Sequence, residues 1–141
     1  MLPGRPKTYH PPRFKFKGKM KNVYAPHNKP MKSARDVLAD QMHSPVPLRD
    51  VPLLVRIELH FKRPKCHFKK GQLRDDAPKF VLKTPDQKKR SDVDNCCKFV
   101  LDALQPRVLA DDKFVTKVVV EKMWCLSATS ERTDIELHLR M

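Results

Sequence analysis

Hydrophobic and polar positions alternate most cleanly between Leu53 and Phe61. Leu53, Val55, Ile57, Leu59 and Phe61 are separated by Leu54, Arg56, Glu58 and His60. A period of two over this stretch predicts a strand with one buried face. The alternation returns at the end of the chain, where Ile135, Leu137, Leu139 and Met141 interleave with Asp134, Glu136, His138 and Arg140. Between them, the run from Phe114 to Met123 is apolar on both faces through Val118-Val119-Val120, which suits a central strand. Two stretches carry helical spacing instead. Met31, Ala34, Val37, Leu38 and Met42 share one side of a helix over 31–42, and Pro45 closes it. Cys97, Val100, Leu101 and Leu104 mark a helix over 94–105 that Pro106 stops. Phe14 to Gly18 and Lys19 to Tyr24 predict a short basic hairpin turning at Gly18, after an extended or irregular opening from Pro3 to Pro12. Asp111-Asp112 and Ser127–Arg132 read as turns. Residues 62–90 have no sustained period, contain three prolines and Gly71, and read as a long loop. The order is helix, strand, long loop, helix, strand, strand. It predicts an α+β (mixed α/β) single domain over 1–141, with a small mixed sheet and two main helices.

Length agrees with one domain, since 141 residues are enough for one ordinary core. Composition adds the charge. Thirty Lys+Arg against 16 Asp+Glu give +14. The excess is concentrated. Residues 1–35 hold 10 bases and no acid, and residues 62–90 hold 11 bases against Asp75, Asp76 and Asp86. Everything else is acidic overall, with 9 bases and 13 acids. Two basic blocks on a near-neutral body are the electrostatic footprint of a phosphate-backbone binder. The basic N-terminal segment (1–30) offers Arg5, Lys7, Arg13, Lys15 and Lys17, and the basic loop (62–90) offers Lys69, Lys70, Lys88, Lys89 and Arg90. Solvated basic tails are the alternative. Apolar runs such as Val51–Val55 are too short to span a bilayer, and no basic start followed by an apolar stretch marks a leader, so no membrane partner is expected. The expected location is intracellular. Cys66, Cys96, Cys97 and Cys125 form no CxxC pair. They are expected to be reduced structural thiols, with a Cys66/His67/Cys96/Cys97 zinc module lacking the usual spacing.

The acids are the anomaly. Ser91-Asp92-Val93-Asp94-Asn95 follows directly on Lys88-Lys89-Arg90. Carboxylates inside a phosphate-binding patch repel the ligand unless a divalent cation neutralises them, and hard oxygen ligands suit Mg2+. Asp92 and Asp94 stand at a helix entry, Lys98 lies one turn further on the same face, and Asp111 or Asp112 can supply a third carboxylate. Bland readings stand beside this one: Asp92 or Asp94 capping the helix, Lys98 pairing with Asp94 or Asp102, and Asp111-Asp112 serving only as a turn.

The run Asp92-Val93-Asp94-Asn95-Cys96-Cys97-Lys98-Phe99-Val100-Leu101-Asp102-Ala103-Leu104 resembles the D-x-D-N-x-x-K-x-x-x-D-A-L pattern of the RusA family of Holliday junction resolvases. Leu109-Ala110-Asp111-Asp112 and the strand after it resemble the family's next segment. Gly4-Arg5-Pro6, Val23-Tyr24-Ala25-Pro26 and Arg63-Pro64-Lys65-Cys66-His67-Phe68 resemble it in kind. The resemblance covers nearly the whole chain. It implies a RusA-like domain and a Mg2+-dependent homodimer that nicks opposing strands of four-way junction DNA in pairs. It implies that Asp92, Asp94 and Asp112 are metal ligands and Lys98 is the catalytic lysine, with Asp111 the adjacent acid. It also implies a cytoplasmic or nucleoid-associated setting, with phages and viruses among the sources. Two departures stand out. Met1-Leu2-Pro3 leaves almost no room for the strand that opens many members, and K-x-P-D occurs early, at Lys83-Thr84-Pro85-Asp86. The alternative from a different class is a non-catalytic basic protein that binds structured RNA or DNA, with an inactive junction binder as a further variant.

Overall fold

The central strand of the sheet is the one with the clearest alternation. The computed structural model describes residues 1–7, 13–17, 20–24, 28–42, 46–82, 92–127 and 130–140. In chain order these form β1 (Leu2–Pro3), β2 (Arg13–Lys17), β3 (Met20–Tyr24), α1 (Asn28–Met42), β4 (Leu53–Lys62), β5 (Phe68–Lys69), β6 (Gln72–Leu73), α2 (Val93–Leu104), β7 (Val115–Cys125) and β8 (Arg132–Leu139). Four strands make a mixed sheet in the order β1-β8-β4-β7, and two ribbons, β2-β3 and β5-β6, stand apart from it. β4 pairs antiparallel with β8 and parallel with β7. Parallel neighbours require a long crossover, and the segment carrying α2 supplies it. The chain is α+β with two helices, as the order of elements predicts.

The alternation of β4 becomes burial. Leu53, Val55, Ile57 and Leu59 are fully buried and Phe61 nearly so, and they form the floor of the core. Each such side chain contributes about 1.5–3 kcal/mol through burial. Both helices lie over this floor. α1 contributes Ala34 and Leu38, with Met31 and Met42 at the margin. α1 begins at Asn28, before the predicted start, because Pro30 falls in the first turn, where its missing N–H has no partner to lose.

Two expectations need correction. The Val118-Val119-Val120 strand lies at the sheet edge rather than its centre, and Val118 is 37% exposed. A run apolar on both faces is not proof of two strand neighbours. Loop residues cover the C-terminal half of that edge instead. The Val81 N–H donates to the Lys122 carbonyl at 3.1 Å, and the Trp124 N–H donates to the Lys79 carbonyl at 3.1 Å. The second correction concerns the long loop, because 62–82 is partly regular. A 3-10 turn over Lys65–His67 leads into the β5-β6 hairpin, whose tip uses Lys70 and Gly71 at positive φ. The opening segment, expected to be extended or irregular, contributes a two-residue strand, in which Leu2 and Pro3 pair antiparallel with Thr133 and Arg132 of β8. The β2-β3 hairpin pairs Lys17 with Met20, and its turn at Gly18 lies outside the described residues. Among the described residues, no helix is long and apolar enough to cross a membrane.

Candidate nuclease site around α2

α2 presents one apolar face and one charged face. Cys96, Phe99, Val100, Ala103 and Leu104 are buried against the sheet. The predicted stripe through Cys97 and Leu101 is therefore rotated by one position, and those two side chains are half-buried. Phe99, only 1% exposed, is the largest group on the face and sets its direction. Asp94 and Lys98 fall on the opposite side and are exposed.

Asp92 occupies the N-cap position, in extended conformation with φ −68° and ψ 143°, but its side chain makes no capping hydrogen bond. Its backbone carbonyl accepts the Cys96 N–H at 3.0 Å. The bland capping role is thus absent for Asp92, and its carboxylate sits at the positive end of the helix dipole. Asp111 is different. Its Oδ1 accepts the Lys113 N–H at 2.9 Å, capping the 3-10 turn Asp112–Phe114. That amide is the main reason its carboxyl titrates below its ordinary value, with the Lys113 and Arg49 charges helping. Of the paired acids, Asp111 is the one committed to the turn, while Asp112 is exposed.

Electrostatic coupling links the remaining groups. Asp102 is half-buried and its carboxyl is pushed above the usual range, chiefly by burial. Lys98 and Arg35 pull it down, and the charge of Asp112 pushes it further up. The Arg35 Nε–H also donates to the Asp102 carbonyl at 3.3 Å. Asp102, Lys98 and Asp112 thus act on one another across the gap between α2 and the turn before β7. At the other end, the Cys96 thiol is pushed up to about 12, first by burial, while Lys122 opposes the shift and Asp92 and Asp94 add to it. Burial and Asp94 raise the Cys97 thiol too. Both cysteines are therefore neutral packing groups, as expected of reduced structural thiols, and Cys66 and Cys125 are also unpaired.

Two participants were not picked out by sequence reasoning. Asp102 was read only as a partner for Lys98, although Asp94, Lys98 and Asp102 recur every fourth residue along one side of α2. Lys122 shares the inward face of β7 with Val120 and Trp124, being registered opposite Leu59. A lysine at an apolar position of a strand was the available signal.

Among the described residues, Asp92, Asp94 and Asp112 do not form a trio with all ligand oxygens within 4.8 Å of one another; the residues that do are Glu58, His60 and Asp134. Like-charged carboxylates repel until a cation sits between them. The α2 donor set consists wholly of carboxylates, and the charge of Asp112 disfavours that of Asp102. Both features fit a hard dication such as Mg2+.

The residues expected to meet phosphates lie only partly within the described segments. Lys7, Lys69 and Lys70 are exposed, the latter two on the β5-β6 hairpin. Arg5 lines a cleft with Lys62, Arg63, Lys65 and Trp124, and its Nη2 and the Arg63 Nε are buried without a hydrogen-bond partner. Two unsatisfied guanidinium donors beside one cleft suit an anion. Arg13, Lys15 and Lys17 lie on β2, and Lys88, Lys89 and Arg90 fall outside the described residues.

No curated protein matches the chain. The family model described as Endodeoxyribonuclease RusA matches residues 3–138, which takes in both helices, β4 and β7 whole, nearly all of β8 and every acid discussed above. The chain belongs to the RusA endodeoxyribonuclease family.

Proposed function

We propose that the protein is a structure-selective endonuclease that resolves four-way DNA junctions by paired, Mg2+-dependent nicks in opposing strands. The observation that carries the reading is the charged face of α2. It sets Asp92 and Asp94 at its N-terminus, Lys98 in its middle, and Asp102 beside Asp112 near its end. Asp92, Asp94 and Asp112 are the residues that would hold Mg2+. When bound, the ion supplies water activation and charge stabilisation at the phosphorus. Lys98 offsets negative charge as it builds on the phosphate oxygens. Asp102, one turn beyond Lys98 on the same side of α2, helps to orient its ammonium.

Arg5, Lys7, Lys69 and Lys70 hold the arms by their phosphates, which gives affinity and salt dependence rather than sequence reading. Junction shape supplies the selectivity. Two cuts need two sites, and a homodimer provides them. The N-terminal half of the β7 edge, with Val118 exposed and no strand neighbour among the described residues, supports pairing with a second copy. The setting is intracellular, in the cytoplasm or on the nucleoid.

The test is cleavage of a synthetic four-way junction in Mg2+. Wild type should nick opposing strands, and Asp92→Asn and Asp94→Asn should each be slower by about 10²-fold or more. Cleavage by either variant at the wild-type rate rejects the assignment.

A further inference from the structure

A second set of ligand-type side chains converges on the sheet face turned away from the helices. Glu58 and His60 of β4 alternate with the core residues Ile57, Leu59 and Phe61, and Asp134 of β8 is registered opposite Glu58. His60 Nε2 stands 3.4 Å from Glu58 Oε2 and 3.3 Å from Asp134 Oδ2. All three ligand atoms lie within 4.8 Å of one another. His60 is only 8% exposed, and its Nε2 is buried with no hydrogen-bond partner. A polar side chain this deep without a partner requires a cause.

Two arrangements would satisfy it. One is an imidazolium between two carboxylates, the other a cation held by all three groups. The spacing favours the second. A charge-assisted N–H···O bond closes to about 2.7–2.9 Å. Ligand atoms around a tetrahedral ion with bonds of about 2.0–2.1 Å stand about 3.3 Å apart. The two observed separations match the edges of such a tetrahedron. We propose that Glu58, His60 and Asp134 form a metal site for a dication of the zinc class, separate from the all-oxygen acids of α2.

Imidazole nitrogen with two carboxylates suits zinc better than magnesium. The Glu58 and Asp134 side chains are 39% and 33% exposed, which leaves a route for the ion and room for water as a fourth ligand. The Arg132 Nε–H donates at 3.0 Å to Asp134 Oδ2, the same oxygen that faces His60 Nε2, and holds that carboxylate in place. Around the three, Arg56 is registered opposite Glu136, and Glu121 of β7 is opposite Glu58. The ion ties β4 to β8, the strand that also holds β1. Its role is to stabilise the sheet rather than to cut DNA.

The test uses Co2+ as a spectroscopic probe without Mg2+, on the full chain carrying Asp92→Asn, Asp94→Asn and Cys66→Ser. These changes remove the two acids at the start of α2 and the exposed thiol. One equivalent of Co2+ should give the visible absorption of a tetrahedral nitrogen–oxygen site, should be displaced by Zn2+, and should raise the melting temperature. Adding His60→Gln or Asp134→Asn should weaken binding at least about tenfold. Asp134 is half-exposed, so its variant keeps the test valid if His60→Gln folds poorly. Absence of the band from the parent protein, or a band that survives Asp134→Asn unchanged, overturns the proposal. Neither result bears on junction cleavage, which is measured separately.

Discussion

Neighbouring residues of α2 divide stability from catalysis, and substituting them one at a time should separate the two. Phe99 is 1% exposed and packs into the cluster that joins both helices to β4. Truncation to alanine removes a fully buried aromatic ring, which costs about 3–5 kcal/mol. Lys98, one position earlier, is exposed, and a surface substitution there changes stability by about 0.5 kcal/mol or less. A domain of this length has a total stability of roughly 7–20 kcal/mol, so Phe99→Ala should remain folded at low temperature. Each kcal/mol shifts the melting temperature by about 2–4 °C at this size, so its melt should fall by roughly 6–20 °C. Lys98→Ala should melt within about 2 °C of wild type yet cut a four-way junction about 10²–10³-fold more slowly. The assay pairs urea or thermal unfolding with single-turnover cleavage below the lower melting point, where folded Phe99→Ala should retain most of its activity. The division of roles is refuted if Lys98→Ala destabilises the protein as much as Phe99→Ala does, or if it cleaves at the wild-type rate.

Further predictions come from individual groups. Because Asp102 titrates above its ordinary value in the fold, the native state favours its protonated form, and stability should fall as pH rises through the interval from that ordinary value to the raised one. Asp102→Asn should therefore flatten the pH dependence of the melting temperature there and raise it at neutral pH without Mg2+. His67 meets Trp124 edge-on at 5.2 Å, and its imidazole titrates below its ordinary value of 6.5 through burial and the charges of Arg63 and Arg74. Stability from this contact should be complete above that value and decline as pH falls through the lowered one. The fluorescence of Trp124, the only tryptophan, should report the same transition and lose it in His67→Gln. Replacing both Lys69 and Lys70 by alanine should lower the slope of log binding constant against log salt by about 2 if each lysine holds one phosphate.

How far the sequence foretold the structure depends on the kind of information each feature needs. β4, β8 and both helices were legible because a single periodic face decides them, and Leu53 to Phe61 and Ala34 with Leu38 lie where period and spacing put them. The precise face of α2 was not, since apolar residues at 96, 97, 99, 100, 101, 103 and 104 satisfy two neighbouring stripes, and only packing against the sheet selects the one centred on Phe99. The edge position of β7 depends on which strands pair, and the apolar run Val118-Val119-Val120 does not encode that. The same limit hid the burial of His60, which sits on the polar side of its own strand but is enclosed by Glu58 and Asp134. At the candidate site, the acids were visible through their conflict with the surrounding bases. The roles of Asp102 and Lys122 depend on contacts between α2, the 111–112 turn and β7, which separate in sequence and meet only in the fold.

The most direct measurement of the central claim compares junction binding in EDTA with junction cleavage in Mg2+, for wild type and the Asp92→Asn/Asp94→Asn double variant. With no cation present, the two carboxylates should repel the DNA, so the double variant should bind the junction more tightly than wild type. With Mg2+ present, it should fail to cut. Equal or weaker binding by the variant in EDTA, together with undiminished cleavage in Mg2+, would contradict the account.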